Sequence, residues 1–300
     1  MTRPEVRIYE VGPRDGLQAE TTVVSTDSKL AFIGMLADAG LHEIETTSLV
    51  SPKAIPQMAD ADELLSRLER RPGVRYPVLV PNARGLERAI AAGVDAICLV
   101  TAATDSYVQH NIGMSIDQSL AVFEPVAAEA RHRGWWIRAY VSTAFGCPYE
   151  GQDDERAVVS VAERLLRLGV DELSISDTLG VAAPVDVARV LDALRTAGIG
   201  PDAIALHLHD TRGTALANVM AAMELGVRGF DSSAGGTGGS PYAPGSAGNL
   251  ATEDLVYLLD RQGVRSEVDL NGVLAAARFI ASQLGGELGS KVGRAGAWPQ

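Results

Sequence analysis

Little in this 300-residue chain suits a membrane, a disulfide framework or a polyanion. No stretch reaches the roughly 18 consecutive apolar residues of a spanning helix. Residues Met1 to Glu5 run straight into a strand pattern, without the apolar core of a secretory signal. The two cysteines, Cys98 and Cys147, form no CxxC pair and are too few for a disulfide framework. A reducing cytoplasm is therefore the expected compartment. Basic residues are the minority: 26 Lys and Arg against 38 Asp and Glu give a net charge of -12, with no basic block. That excludes nucleic acid and anionic membrane surfaces as expected partners. An anionic substrate would need local arginines, lysines or a metal. Nucleotide fingerprints are missing too: no GxGxxG follows the first strand pattern, and no GxxxxGK[ST] occurs.

What the chain does have is a repeated beat of strand and helix. Strand patterns fall at 6–11, 43–46, 76–80, 95–100, 136–142, 172–176, 203–208 and 229–233. Helical patterns follow each of them. The first is capped by Ser25, Thr26 or Asp27 and carries Leu30, Ile33 and Leu36 at helical spacing. Later helices are expected near 60–70, 84–92, 116–133, 154–168, from Pro184, 215–225 and 252–262. Alternation implies a parallel sheet, and eight beats close a (β/α)8 TIM barrel. Leu270 to Leu284 reads as an additional C-terminal helix. With no linker or composition shift, one domain over 1–300 is expected, the barrel at about 5–265 and a helical extension at about 266–300.

Barrels place their chemistry at the C-terminal ends of the strands, and there the polar residues gather. Arg14 and Asp15 follow strand 1, Glu45 ends strand 2, Asp177 follows strand 6, His207 and His209 end strand 7, and Asn249 lies beyond strand 8. Residues i and i+2 of a strand share a face roughly 6–7 Å apart, so both imidazoles can reach one ion. Strands 7, 8 and 1 are neighbours in a closed barrel, which lets Asp15, His207, His209 and Asn249 converge. Alone, an HxH strand end is most often a pair of hydrogen-bonded structural histidines; Asp15 and the barrel geometry turn the reading to a metal. A mixed nitrogen and oxygen set suits Mg²⁺, Mn²⁺ or another octahedral divalent ion, whereas structural zinc would recruit thiolates. The glycine-rich stretch Gly235 to Gly245 reads as a loop closing over that site. Cys98 reads as a core residue, Cys147 as a loop residue with no base beside it, and Glu10 as a polar residue of the barrel interior.

These residues resemble a known family, the 3-hydroxy-3-methylglutaryl-CoA lyases, among the metal-dependent aldolase-like barrels. The matching stretches are Glu10-Val11-Gly12-Pro13-Arg14-Asp15-Gly16-Leu17-Gln18, Ile44-Glu45-Thr46-Thr47-Ser48, and Gly146-Cys147-Pro148-Tyr149-Glu150-Gly151. Ser176-Asp177-Thr178-Leu179-Gly180, His207-Leu208-His209-Asp210-Thr211 and Gly248-Asn249-Leu250-Ala251-Thr252-Glu253-Asp254 follow in the family's order. The HxHD and Arg-Asp-Gly elements mark the wider superfamily; the Asn-Leu-Ala-Thr-Glu-Asp stretch points to the lyases.

The resemblance implies metal ligation by Asp15, His207, His209 and Asn249, enolate stabilisation by Arg14, and His207 as a candidate for proton transfer. Glu45 and Asp177 would support or contact a metal-bound acyl-CoA substrate. The implied reaction is retro-aldol cleavage to acetyl-CoA and acetoacetate by a cytoplasmic homo-oligomer, a dimer. One position departs from the pattern. Where the family's loop carries a cysteine before Pro-Tyr-Ala, this chain has Ser240. A thiol exchanges protons near neutral pH and an unaided hydroxyl does not. Two other readings therefore stay open: a lyase for a related 3-hydroxyacyl-CoA such as citramalyl-CoA, or an acyl-CoA-binding barrel with little or no turnover. Condensing synthases usually carry a long regulatory domain, which the single extra helix does not match.

Overall fold

The structure is a computed structural model that describes residues 6–151, 154–239, 248–287 and 289–298. Its strands are β1 (Arg7–Glu10), β2 (Glu43–Ile44), β3 (Thr47–Ser48), β4 (Val78–Leu79), β5 (Ala96–Ala102), β6 (Trp136–Ser142), β7 (Glu172–Asp177), β8 (Ile204–Leu208) and β9 (Gly229–Ser232). They pair in parallel in the order β2-β1-β9-β8-β7-β6-β5-β4-β3. The two ends of that ribbon, β2 and β3, are one stretch of chain interrupted only at Glu45 and Thr46. The Glu45 amide donates to Glu10 O (2.9 Å) and the Thr46 amide to Pro77 O (3.0 Å). The stretch thus holds β1 on one side and the approach to β4 on the other, and the ribbon closes into the expected α/β barrel. The second of the eight expected strands is split because its two halves pair with different neighbours.

Helices α1 (Thr26–Asp38), α2 (Ala61–Arg67), α3 (Ala83–Ala91), α4 (Asp105–Ile112), α5 (Ile116–His132), α6 (Glu155–Arg167), α7 (Pro184–Thr196), α8 (Ala215–Glu224), α9 (Thr252–Gln262), α10 (Leu270–Leu284) and α11 (Lys291–Ala295) surround it. Their ends follow local chemistry. The Ser25 hydroxyl accepts the Ser28 amide at the start of α1, and Pro184 opens α7 where a missing N–H costs nothing. Gly263 and Gly285, at φ of 71° and 70°, end α9 and α10 in the left-handed region that glycine enters freely. Helices α4 and α11 were not among the expected elements, both being too short to show a clear apolar period. Helix α2 stops at Arg67 instead of Arg70, with Leu68 turning extended before Pro72. Among the described residues no helix is long and apolar enough to cross a membrane.

Two apolar layers result. The larger lies between strands and helices, where α1 contributes Phe32, Ile33 and Leu36. The smaller fills the barrel lumen with Tyr9, Val11, Leu79, Cys98 and Tyr140. Glu10 corrects an expectation. Strand alternation turns Tyr9 into the lumen and Glu10 away from it, where Glu10 accepts the Gly12 and Ala234 amides (2.8 and 3.0 Å) and the Thr252 hydroxyl of α9 (2.6 Å). It ties the end of β1 to the segment after β9. Burial pushes its carboxyl up to about 7 despite those three donors.

Candidate metal centre at the barrel mouth

After β1 the chain makes one tight turn, Gly12–Gly16, in which the amides of Arg14, Asp15 and Gly16 converge on Val11 O (3.2, 2.8 and 3.1 Å). That turn hangs Arg14 and Asp15 over the C-terminal mouth. Glycine is required at 16, because a Cβ there would lie 2.5 Å from Thr237 Oγ1 and 2.9 Å from Ser233 Oγ. The segment after β9 therefore packs directly on the turn. Across the mouth, Leu250 donates to Leu208 O (2.9 Å) and Asp210 to Gly248 O (3.1 Å). These bonds lay Asn249 beside His209.

Asp15, His207 and His209 each present a ligand atom, and these atoms lie within 4.8 Å of one another. The Nε2 atoms of His207 and His209 face each other at 3.2 Å, and His207 Nε2 is 4.0 Å from Asp15 Oδ2. Asn249 Nδ2 donates to Asp15 Oδ2 (2.9 Å) and Thr237 O (3.2 Å), while its buried Oδ1 has no partner among the described residues. Burial, then the neighbouring His207, holds the His209 imidazole down to about 3, so it is neutral and its nitrogen lone pair is available. Burial alone would raise Asp15, but Arg14 and the two histidines bring it to about 2, an anion. The test of fit is the orphaned Asn249 oxygen. A buried acceptor without a donor is costly, and it belongs to a residue that bonds Asp15 and lies beside His209. The four expected ligands converge, neither cysteine joins them, and the donor chemistry suits a divalent ion.

Arg14 is clamped in place. Its Nε and Nη2 donate to Glu45 Oε1 and Oε2 (2.8 and 3.0 Å), and Nη1 donates to Asp15 Oδ1 (2.6 Å). Of its five N–H groups, two have no acceptor among the described residues. Glu45 also accepts the Tyr140 hydroxyl (2.5 Å), and the Tyr140 ring meets His207 edge-on at 5.9 Å. Asp177 behaves differently: its two oxygens accept the Val181 and Ala182 amides (both 3.0 Å), so its side chain shapes its own loop. Ser240 lies outside the described residues.

Sequence reasoning missed Tyr140, Arg138 and Asp231. Asp231 Oδ2 lies 3.1 Å from His207 Nδ1, and Asp231 accepts from the fully buried Arg138 (3.0 Å to Nη1). The available signal was the single charged residue of strand 136–142, an arginine two residues before a tyrosine on the same face.

Fold and donor set together define an α/β barrel whose mouth can hold a divalent ion. The HMGL-like family model matches residues 5–280, and the chain belongs to that family. It is 46% identical over 290 residues to the cytoplasmic 3-hydroxy-3-methylglutaryl-CoA lyase of Rattus norvegicus, covering 97% of this chain and 84% of the relative. Identity to a hydroxymethylglutaryl-CoA lyase of Bacillus subtilis is 45% over 287 residues, 96% of each. The crystal structure of Bacillus subtilis HMG-CoA lyase superposes with a TM-score of 0.95 at 44% identity, over 98% of this chain and 99% of that one. An HMG-CoA lyase from Acinetobacter baumannii, in complex with coenzyme A and 3-methylmalate, superposes with a TM-score of 0.92 at 38% identity, over 98% and 97%.

Proposed function

We propose that this chain is a cytoplasmic, divalent-metal-dependent carbon–carbon lyase that cleaves 3-hydroxy-3-methylglutaryl-CoA to acetyl-CoA and acetoacetate. The observation that carries the reading is the convergence of Asp15, His207 and His209 with the orphaned Asn249 oxygen. It occurs in a chain similar over nearly its whole length to lyases of that name. Mg²⁺ or Mn²⁺ held by these four residues would supply Lewis acidity toward the substrate's hydroxyl and carbonyl oxygens.

The chain's own groups supply the rest. Loss of the C3 hydroxyl proton turns C3–O into a ketone, the C2–C3 electron pair passes into the thioester enolate, and protonation at C2 completes acetyl-CoA. Asp15 is the basic group at the mouth placed to take the hydroxyl proton, because both imidazoles would give their lone pairs to the ion. Arg14 faces the enolate with its two unengaged N–H groups. Because Glu45 fixes the guanidinium in advance, no reorganisation is needed as charge develops. The test is acetoacetate release from 3-hydroxy-3-methylglutaryl-CoA by purified protein with Mg²⁺ or Mn²⁺, with and without EDTA. Cleavage that EDTA abolishes and added metal restores is expected. No cleavage from metal-loaded protein would replace this substrate with another 3-hydroxyacyl-CoA.

A further inference from the structure

Below the mouth the lumen contains charges that the cleavage chemistry does not touch. Register puts them on one inward face: Cys98 pairs with Arg138, Arg138 with Glu172, His207 with Asp231 and Asp231 with Tyr9. The Arg138 guanidinium lies 3.9 Å from the Tyr9 ring centroid and 4.9 Å from that of Tyr140. Its Nε donates to Glu172 Oε1 (2.8 Å), while Nη1 and Nη2 donate to the two oxygens of Asp231. The Ser174 hydroxyl adds a bond to Asp231 Oδ2 (3.1 Å). Beyond Glu172 the alternation continues through Arg7 (2.5 Å), Glu43 (3.4 Å) and Arg75 (2.6 Å). A buried ion pair is weak evidence for stability, since apolar residues of the same shape often do as well. The end of the chain suggests another reason for it: Asp231 Oδ2 meets His207 Nδ1 at 3.1 Å.

A carboxylate facing a bidentate arginine and a serine hydroxyl carries no proton of its own and only accepts. The proton shared with His207 therefore resides on Nδ1, and Nε2 presents its lone pair to the mouth. His209 is the contrast, because its buried Nδ1 has no partner among the described residues. We infer that Asp231, held rigid by Arg138 and Ser174, is a positioning residue that fixes the tautomer and ring plane of His207, and so prepares one of two imidazoles for a cation before it arrives. This inference rests on the metal reading of the mouth. His209 takes its tautomer from whatever occupies the site. Outer partners of this kind typically change metal affinity roughly 10–100-fold.

The first test needs no variant. Long-range ¹H–¹⁵N spectra of the imidazole nitrogens in metal-free wild-type protein should show His207 protonated on Nδ1; protonation on Nε2 overturns the inference. The second uses Asp231→Asn, whose amide can donate to Nδ1 and so favour the opposite tautomer. Folded Asp231→Asn protein, checked by circular dichroism, should bind Mn²⁺ roughly 10–100-fold more weakly by titration calorimetry and show the His207 proton moved toward Nε2. Wild-type Mn²⁺ affinity with the tautomer unchanged overturns the inference. If Asp231→Asn does not fold, the wild-type spectrum still decides. A wild-type protein that binds neither Mn²⁺ nor Mg²⁺ sinks the metal reading of the mouth, while the His207 tautomer separately reports whether Asp231 sets it.

Discussion

The two ends of the barrel lumen are built on opposite rules. In the lower part, Arg75, Glu43, Arg7, Glu172, Arg138 and Asp231 alternate in sign, each bonded to the next. At the mouth, His209 Nδ1, Asn249 Oδ1 and Ser48 Oγ are buried and unpartnered among the described residues. Leaving such atoms unsatisfied costs stability, and a barrel's C-terminal mouth is where such a cost has a use, because an incoming ligand can supply the missing bonds. The upper end is incomplete by construction and the lower end is closed on itself. Substitutions should sort the same way, the lower end showing in stability and the upper in turnover.

The largest expected effect falls on the closed end. Arg138→Leu removes the shared partner of Glu172 and Asp231 and leaves buried charge uncompensated, which typically costs about 3–5 kcal/mol. A urea titration should show a midpoint shift of that size; a shift below about 1 kcal/mol would mean that the lower charges are hydrated. Next is Arg14→Gln, chosen because the amide still bonds to Glu45. Loss of the donor facing the enolate should lower kcat roughly 10²–10³-fold with a much smaller change in KM. An unchanged kcat would remove Arg14 from the chemistry and leave it as a structural clamp.

How much of this contrast is legible in the sequence follows from what each end is made of. The mouth is written in local motifs: Arg14-Asp15-Gly16 in a turn, His207 and His209 with the period of a strand, Asn249 after a glycine-rich stretch. Strand counting then joins them, because closure makes the strands of Arg7, Leu206 and Phe230 neighbours. The lower network has no local signature. Arg138, Glu172 and Asp231 lie on three strands, and each alone reads as an ordinary charge. Their meeting depends on barrel shear, which sets the register and is not encoded in any one segment. Glu10 was misplaced for a related reason: alternation gives two faces, and only the observed partner Thr252 shows which of them is the lumen. Helices α4 and α11 escaped because eight and five residues carry too little periodicity to register.

The smallest effect sharpens the comparison most. Ser48 pairs in register with Leu79, and Leu79 with Cys98, whose sulfur lies 3.0 Å from the Tyr9 hydroxyl inside the lumen. Its neighbour Thr47 turns the other way, toward Met58 Sδ (3.6 Å). The Ser48 hydroxyl therefore points into the barrel with no partner among the described residues, and replacing it with hydrogen removes an unsatisfied buried group. Ser48→Ala should raise stability by about 1 kcal/mol and lower kcat/KM, because the mouth loses one group able to bond substrate. The opposite pair of results, a lower melting temperature with kcat/KM unchanged, would show that ordered water already satisfies the hydroxyl. The contrast between the incomplete mouth and the charged end beneath it would then rest on His209 and Asn249.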